Sequence, residues 1–337
     1  MMNEAFLIDT EEKRLSLLTQ AERAVQLALQ QYDLGGECDV HYLQLSDHIT
    51  YRIEIGTGLR LLLRIHPEAT PQAEIQSELT WLEALSTHEG LVVPTALTNR
   101  EGDYVTEMAT EEGFRGWITV MRWIEGEHHV EDLTKDLIRK MGELMAKLHE
   151  ATTAFVPSVD FTRPTWGQQS FEKQFARLKL HYRNFISDDQ FPLYEQAADK
   201  IINHFEKLRD SDFAYGMIHA DMHIGNLVFY NDEPYPIDFG RCGFGYELYD
   251  VAQALVGLYP IQRQQFIEAY SDVRKLEGDY IAALESFFIM SIIENYSFHA
   301  PNPLESEDMM AQQPYAQALI KHYLSDTPFL FNRIELS

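Results

Sequence analysis

The hydrophobic period of the sequence changes about a third of the way along the chain, and this change limits the folds that it can adopt. Before about residue 122, apolar residues often alternate with polar ones, as at Tyr51, Ile53 and Ile55, a pattern typical of half-buried β-strands. Beyond Gly126, apolar residues recur every three or four positions, which is typical of amphipathic helices. The sequence therefore predicts an α+β fold with two lobes.

The predicted first lobe, residues 1–124, carries an antiparallel sheet, and the predicted second lobe, residues 125–337, is larger and mainly helical. Period and turn residues place the individual elements. Those of the first lobe are a helix at 19–34 that Thr19 caps, a hairpin at 51–65 that turns at Gly56-Thr57-Gly58, a helix through Ile75 and Leu85, and short strands near 91–98, 103–108 and 116–124. Those of the second lobe are helices at 134–149 and 195–208 and a loop at 301–314.

Composition excludes some classes of function. The 337 residues include 27 Lys and Arg against 53 Asp and Glu, a formal net charge of −26. A surface this acidic repels phosphate backbones, so we expect no nucleic-acid partner. A cationic substrate would suit the charge, but so would simple solubility, and composition alone does not decide between them.

The sequence shows no pattern typical of a targeting signal, a membrane span or a cysteine-based site. The first twelve residues have no basic and apolar leader pattern, and no later stretch reaches the roughly 18 apolar residues of a membrane span. We therefore expect a cytoplasmic protein that does not associate with membranes. Cys38 and Cys242 lack CxxC spacing, which argues against a zinc site or a disulfide scaffold.

The residues able to do chemistry cluster in residues 215–254. Asp221 and Asn226 lie in one segment, a predicted hairpin follows at 227–237, and Asp238 comes directly after it. A hairpin at this position should return the chain so that Asp238 lies beside the segment carrying Asp221 and Asn226.

This set of side chains suits phosphoryl transfer. A triphosphate with bound Mg²⁺ needs hard oxygen ligands, which the Asn226 amide and the Asp238 carboxylate can supply. A further carboxylate, Asp221, can orient an attacking hydroxyl and accept its proton. Each residue alone would be an ordinary turn or core residue, so the prediction rests on their order and on the hairpin between them.

The same segment resembles the catalytic core of the aminoglycoside phosphotransferase and choline kinase-like superfamily. The matching motifs are the loop His219-Ala220-Asp221-Met222-His223-Ile224-Gly225-Asn226, with Ala220 where Gly is commoner, then Ile237-Asp238-Phe239, Tyr249-Asp250-Val251-Ala252, the helix end Leu148-His149 and the hinge-like segment 120–126. The resemblance implies a protein kinase-like fold, ATP and Mg²⁺ as cofactors, and catalysis by Asp221. Asp250 would brace the catalytic loop, although a helix N-cap is an equal alternative.

For the first lobe, the resemblance implies the residues that bind the nucleotide. Arg64 stands on a strand where most kinases have Lys, and a guanidinium can also bind phosphate oxygens. Glu78 is the expected ion-pair partner of Arg64, with Glu74 as the alternative. The turn that begins at Ser46 would approach the phosphates, unless it is a plain hairpin turn. The backbone of Met121 to Trp123 would pair with adenine.

The phosphate acceptor is left open by the sequence. The resemblance implies a small-molecule hydroxyl substrate (amino alcohol, aminoglycoside or sugar-like), and the Arg-containing strand is most similar to the bacterial homoserine kinase type II-like or stress-response kinase-like branch. A Ser/Thr protein kinase of the stress-response type and a catalytically silent nucleotide-binding regulator are the alternatives. Glu294, Asn295 and His299 could line an acceptor pocket or form the wet edge of a core helix.

Overall fold

The computed structural model describes residues 6, 8, 10–56, 58–111, 113–129, 133–208 and 213–335. Thr57, in the predicted hairpin turn, lies outside them. The chain divides into a first unit that runs through Glu125 and includes Val156–Thr162, and a second unit formed by Gly126–Phe155 and the chain from Arg163 onward.

The first unit is built on an antiparallel sheet with a long helix. Its elements are α1 Glu11–Leu29, β1 Cys38–Leu45, β2 Ile49–Ile55, β3 Arg60–Pro67, α2 Gln72–Ser86, β4 Ala96–Leu97, β5 Thr106–Ala109 and β6 Arg115–Arg122. The strand order is β1-β2-β3-β6-β4, and β5 also pairs with β6. Side chains from α1, including Ala24 and Val25, share a buried apolar cluster with Ile53, Leu63 and Val120 of the sheet.

The predicted hairpin is confirmed, and its register explains the alternating pattern. Ile53 of β2 lies opposite Leu61 of β3, and both side chains are buried. Arg64 lies in the middle of β3, between Thr50 of β2 and Thr119 of β6. A strand with neighbours on both sides therefore holds the Arg64 backbone in place.

The first helix begins earlier than the predicted start at Thr19. Helix α1 starts at Glu11, and the Thr10 hydroxyl accepts a hydrogen bond of 3.3 Å from the Lys13 amide. The Thr19 hydroxyl instead donates to the Leu15 carbonyl at 2.9 Å, inside the helix. Thr10 and Thr19 both offer a capping pattern, and the helix begins after Thr10 because Thr19 already lies inside it.

The second unit is mainly helical and contains two short antiparallel strand pairs. Its helices are α3 Lys135–Thr153, α4 Gln168–His181, α5 Phe191–Leu208, α6 Glu247–Val256, α7 Pro260–Val273, α8 Tyr280–His299 and α9 Ser306–Leu324. Its strands are β7 Tyr215–Ile218, β8 Leu227–Tyr230, β9 Glu233–Pro236 and β10 Gly243–Tyr246. Strand β8 pairs with β9, and β7 with β10. Within the described part of the chain, no helix combines the length and apolar character that crossing a bilayer requires.

The predicted loop at 301–314 is wrong over most of its length. Helix α9 begins at Ser306 and contains Pro314 in its interior. Apolar residues of this helix, among them Leu319 and Ile320, are buried, and this burial outweighs the proline penalty. Pro314 removes the amide that would have donated to the Met310 carbonyl, and Met310 lies on the exposed side of the helix.

A buried arginine ties the C-terminal segment to α7. Arg263 is 1% exposed, and its guanidinium donates to the carbonyls of Leu255 and Leu330 at 3.2 Å each. It also lies 4.5 Å from the ring centroid of Phe288. Arg263 therefore supplies buried donors to two carbonyl groups from distant parts of the chain.

We predict that Arg263→Met lowers the free energy of unfolding by about 1–3 kcal/mol, because it removes the guanidinium donor of the buried Leu330 carbonyl and one donor of the Leu255 carbonyl, to which the Leu258 amide still donates at 3.0 Å. Urea unfolding followed by circular dichroism measures the change. The control is Arg139→Met, since Arg139 makes an exposed ion pair with Asp272 at 2.9 Å and its loss should change stability little. Equal effects of the two substitutions would contradict the prediction.

Candidate active site

The β8–β9 hairpin brings the sequence-predicted site residues of the second unit together. The Ile237 amide donates to the Asn226 carbonyl at 2.9 Å, which closes the base of the hairpin. The His219 ring hydrogen-bonds to the Ile237 carbonyl through Nε2 at 3.0 Å. Asp238, directly after Ile237, is therefore held next to the loop that runs from His219 to Asn226.

Two hydrogen bonds to Asp221 fix the orientation of the Asn226 side-chain amide. Its amide Nδ2 donates to the Asp221 carbonyl at 2.8 Å and to the Asp221 carboxylate at 3.1 Å. Since the nitrogen is used by these contacts, the Asn226 Oδ1 oxygen is left for another ligand. Asp238 adds an exposed side chain with two carboxylate oxygens. Two hard oxygen donors fit Mg²⁺, which usually completes its octahedral shell with phosphate oxygens and water.

Two residues of this loop region have unusual backbone angles. Ala220 has φ of 60° and Asp238 has φ of 59°. The left-handed region is uncomfortable for residues with a Cβ atom and costs about 1 kcal/mol or more at each. At position 220, where the resembling family commonly has Gly, a glycine would avoid this cost. The surrounding hydrogen bonds must therefore hold the loop in its conformation.

Asp250 supplies those hydrogen bonds. Its fully buried carboxylate accepts from the backbone amides of His219 at 2.7 Å and Ala220 at 2.6 Å. It also hydrogen-bonds to His149 Nε2 at 3.2 Å. The predicted bracing role is confirmed, and the N-cap alternative is wrong because α6 begins at Glu247.

The bracing network continues from His149 to three residues that no sequence motif indicated, Tyr270, Glu247 and Arg274. His149 Nδ1 lies 2.9 Å from the Tyr270 hydroxyl. Nearby, Arg274 donates to Glu247 at 2.7 Å and 2.9 Å, and Tyr270 also contacts Glu247. These residues come from α3, α6 and α7 and the chain directly after α7, and no local pattern could have shown that they meet.

The electrostatic surroundings of Asp221 suit a proton acceptor. Burial raises the pKa of the Asp221 carboxyl above its usual value, while the positive charge of Arg241 acts in the opposite direction. His223 and His219 also oppose the rise, and Asp238 adds to it. A raised pKa makes the carboxylate a better base than an exposed aspartate.

A second polar group, around Glu294, lies near Arg241. The Arg241 guanidinium lies 4.6 Å from the ring centroid of Trp166, and Trp166 stacks on Tyr249 with centroids 6.5 Å apart. The Tyr249 hydroxyl donates to the Glu294 Oε2 oxygen at 2.6 Å. Of the three candidate pocket residues on α8, only Glu294 belongs to this group. Asn295 is exposed, and His299 pairs with Glu305.

Burying the Glu294 carboxylate is energetically unfavourable. Burial raises its pKa to about 7 from the ordinary 4.5, although the Tyr249 hydroxyl and Arg241 both lower it. A carboxyl whose pKa is higher in the folded than in the unfolded state binds its proton more tightly when folded. Its contribution to stability is therefore complete below the unfolded pKa and is lost as the pH rises through about 7.

We predict that Glu294→Gln removes this pH-dependent loss. The free energy of unfolding of the variant, relative to the wild type, should rise by about 3 kcal/mol between pH 4.5 and pH 8, since each unit of pKa difference corresponds to about 1.4 kcal/mol. Urea titrations of both proteins across this range measure the difference. A difference that is constant with pH would contradict the prediction.

In the first unit, the structure places Arg64 and Glu78 together. Their side chains form an ion pair in which both are almost fully buried, at 4% and 2% exposure. Helix α2 also carries Glu74, which is only half-buried. The ion-pair partner expected from the sequence is therefore the one found, while the binding of ATP phosphates by Arg64 stays a prediction.

The remaining predicted nucleotide-binding residues lie in two places of the same unit. Ser46 is exposed in the turn between β1 and β2, where its amide donates to the His48 carbonyl at 2.9 Å. Met121 is buried at the end of β6. The next two amides are engaged, that of Arg122 by the Thr95 carbonyl at 2.8 Å and that of Trp123 by the Arg60 carbonyl at 3.4 Å. Adenine pairing by this segment would therefore use its carbonyl groups or require the Trp123 contact to open.

Comparison with known proteins assigns the family. Residues 44–284 match the sequence profile described as the phosphotransferase enzyme family, APH, a span of well over half the chain. The chain belongs to this family. The phosphotransferase profile covers β2 to β10 and the site residues Asp221, Asn226 and Asp238.

Individual relatives agree with this assignment. A microcompartment-associated aminopropanol kinase is similar in structure, with a TM-score of 0.78 and 25% identity over 91% of this chain and 98% of the other. An amicoumacin kinase in complex with AMP-PNP and Ca²⁺ has a TM-score of 0.76 and 20% identity over 95% and 97%. The amicoumacin kinase of Bacillus subtilis (strain 168) is 22% identical over 252 residues, 74% of this chain and 72% of that protein.

These comparisons confirm two predictions from the sequence. The fold is that of the phosphotransferase structures, an antiparallel N-terminal sheet followed by a helical C-terminal part. The chain is an enzyme of the phosphotransferase class.

Proposed function

We propose that this phosphotransferase moves the γ-phosphoryl group of ATP to a hydroxyl of a small molecule, with Mg²⁺ as its cofactor. The observation that carries the proposal is the hydrogen bond between Asn226 and the Asp221 carboxylate, 3.1 Å long, next to Asp238. In this arrangement one carboxylate is available as a base and two further oxygen donors are available to a metal ion.

The roles of the second-unit residues follow from their contacts. Asp221 orients the acceptor hydroxyl and takes its proton as the oxygen attacks phosphorus, and Asn226 keeps the Asp221 carboxylate in position. Asp250 holds the loop through the His219 and Ala220 amides. Mg²⁺ bound by Asn226 and Asp238 would neutralise the negative charge on the phosphates.

The first unit supplies the nucleotide-binding residues in this proposal. Arg64, fixed by its buried ion pair with Glu78, would donate to phosphate oxygens as lysine does in most kinases. The turn at Ser46 would offer backbone amides to the phosphates, and the backbone from Met121 to Trp123 would contact the adenine.

For the acceptor we propose an amino alcohol, an aminoglycoside or a sugar-like molecule. Similarity to an aminopropanol kinase and to amicoumacin kinases supports a small molecule over a protein substrate. The homoserine kinase type II-like or stress-response kinase-like branch, predicted from the Arg64 strand, stays a prediction, and so does a cytoplasmic location.

The test is to incubate the purified protein with ATP, Mg²⁺ and a panel of amino alcohols, aminoglycosides and sugars, and to search for phosphorylated products by mass spectrometry. We expect at least one acceptor to gain a phosphoryl group in a reaction that requires Mg²⁺. Labelled phosphate transferred only to Ser or Thr of cell-extract proteins would favour a protein kinase. Binding of Mg²⁺ and ATP without any turnover would favour a silent regulator, and either result would overturn the proposal.

A further inference from the structure

One oxygen of the Glu294 carboxylate is buried and unsatisfied. Glu294 is 6% exposed, and its Oε2 oxygen accepts from the Tyr249 hydroxyl at 2.6 Å. Its Oε1 oxygen has no hydrogen-bond partner among the described residues. A buried carboxylate oxygen without a donor is costly, so this oxygen marks a place where an external donor would be stabilised.

The other carboxylate of α8 shows the contrast. Glu285 lies on the same helix, and one of its oxygens accepts from the backbone amides of Phe329 at 2.9 Å and Leu330 at 3.3 Å. That contact fastens the C-terminal segment and accounts for the presence of the charge. Among the residues that the structure describes, none donates in the same way to the Oε1 oxygen of Glu294.

The surroundings of Glu294 point to the chemistry of the missing donor. The Arg241 guanidinium lies 4.6 Å from the ring centroid of Trp166, and its positive charge favours the ionised form of Glu294. The aromatic rings of Trp166 and Tyr249 lie beside them, and aromatic faces also attract cations. Tyr249 and Glu294 are buried, whereas Trp166 and Arg241 are only half-buried, so the cluster extends from solvent inward.

The cluster is also close to the reacting group. Tyr249 directly precedes Asp250 in α6, and the Asp250 carboxylate accepts at 2.6 Å from the amide of Ala220, the residue next to Asp221. The four residues of this cluster, Trp166, Arg241, Tyr249 and Glu294, belong to the second unit, as does Asp221. An acceptor whose hydroxyl meets Asp221 could therefore place another of its groups at Glu294.

We infer that Glu294 binds the ammonium group of the acceptor and so selects amino alcohols over neutral polyols. This inference rests on the proposed function and specifies the class of substrate. The ammonium group would donate to Oε1 of Glu294, the Tyr249 hydroxyl would hold Oε2 in place, and the acceptor hydroxyl would meet Asp221. Most of the acidic residues are accounted for by solubility, but Glu294 would also recognise the ammonium group of the substrate.

The test compares matched acceptors and matched variants. Wild type, Glu294→Gln and Glu285→Gln are assayed with ATP and Mg²⁺ on 1-amino-2-propanol, on ethanolamine, and on the diols in which a hydroxyl replaces each amino group. Glutamine keeps the shape of the side chain and an oxygen for Tyr249, so the variant should fold, and thermal unfolding checks this. The Glu285→Gln protein carries the same change on the same helix at a carboxylate that has a structural partner.

We expect the wild type to prefer the amino alcohols. Glu294→Gln should raise KM for them by about 10- to 100-fold, the usual effect of losing a hydrogen bond between charged groups, and leave kcat and the activity on diols nearly unchanged. Glu285→Gln should behave as the wild type. A wild type that does not distinguish amino alcohols from diols, or a Glu294→Gln protein that handles both as the wild type does, would overturn the inference and leave the kinase proposal standing. A wild type that phosphorylates none of the four but phosphorylates other hydroxyl compounds would overturn only the inference, and one that phosphorylates nothing would overturn both.

Discussion

Replacing Asp221 with asparagine is expected to lower kcat by about 10²- to 10⁴-fold, the usual contribution of a positioned general base. Asparagine keeps the size of the side chain and an oxygen that can still accept from the Asn226 amide, which donates to Asp221 at 3.1 Å. It cannot take the proton of the acceptor hydroxyl. The affinity for ATP with Mg²⁺, measured by calorimetry, should therefore change much less than kcat, measured by product formation.

A matched control comes from the neighbouring hairpin turn. Asp232 is exposed and has a φ of 61°, which asparagine also tolerates, so Asp232→Asn should leave both kcat and affinity unchanged. If Asp221→Asn retains nearly full kcat, the proton is taken by another group and the role assigned to Asp221 is wrong. If it loses nucleotide affinity as strongly as kcat, Asp221 acts mainly through the metal or the loop.

The second large effect is expected from Asp250. Asp250→Ala should lower the free energy of unfolding by about 3–5 kcal/mol, because it leaves the buried amides of His219 and Ala220 without their acceptor. Ala220 then loses the hydrogen bond that holds its φ of 60°, so the loop should relax and Asp221 should move. We expect kcat to fall by about 10²-fold even at temperatures where the variant is folded. Urea unfolding and steady-state kinetics on the same preparation measure the two effects.

A conservative change at the same position separates structure from chemistry. Asp250→Asn keeps one acceptor oxygen, so both its stability and its kcat should lie between those of the wild type and Asp250→Ala. If Asp250→Ala were as stable as the wild type, the hydrogen bonds to the His219 and Ala220 amides would contribute little. If it were unstable but fully active once folded, the loop conformation would not depend on Asp250.

Much of the fold and the core of the candidate site could be predicted from the sequence because both depend on local patterns. Alternation at Tyr51, Ile53 and Ile55 depends on neighbouring residues only, and so does the hairpin that returns Asp238 to Asn226. The choice of Glu78 as the partner of Arg64 rested on the family resemblance, because Glu74 lies one turn away on the same side of α2 and the helical period does not separate the two.

Other features depend on competition or on distant contacts, and the sequence could not show them. The start of α1 at Glu11 required a choice between two capping threonines, and α9 required burial to outweigh Pro314. The contact of Tyr249 with Glu294 joins residues 45 positions apart, and the contact of His149 with Asp250 joins residues 101 apart. The sequence named Glu294 as one of three possibilities, and only packing distinguished it from the other two.

The central claim is that Asn226 and Asp238 hold the metal while Asp221 is left for the acceptor, and a crystal structure of the wild-type protein with AMP-PNP and Mg²⁺ tests it most directly. We predict Mg²⁺ at about 2.0–2.1 Å from the Asn226 Oδ1 oxygen and from an Asp238 carboxylate oxygen, with phosphate oxygens in the same shell and the Asp221 carboxylate outside it. A nucleotide whose metal ion is held without Asn226 and Asp238, or is held directly by Asp221, would contradict it.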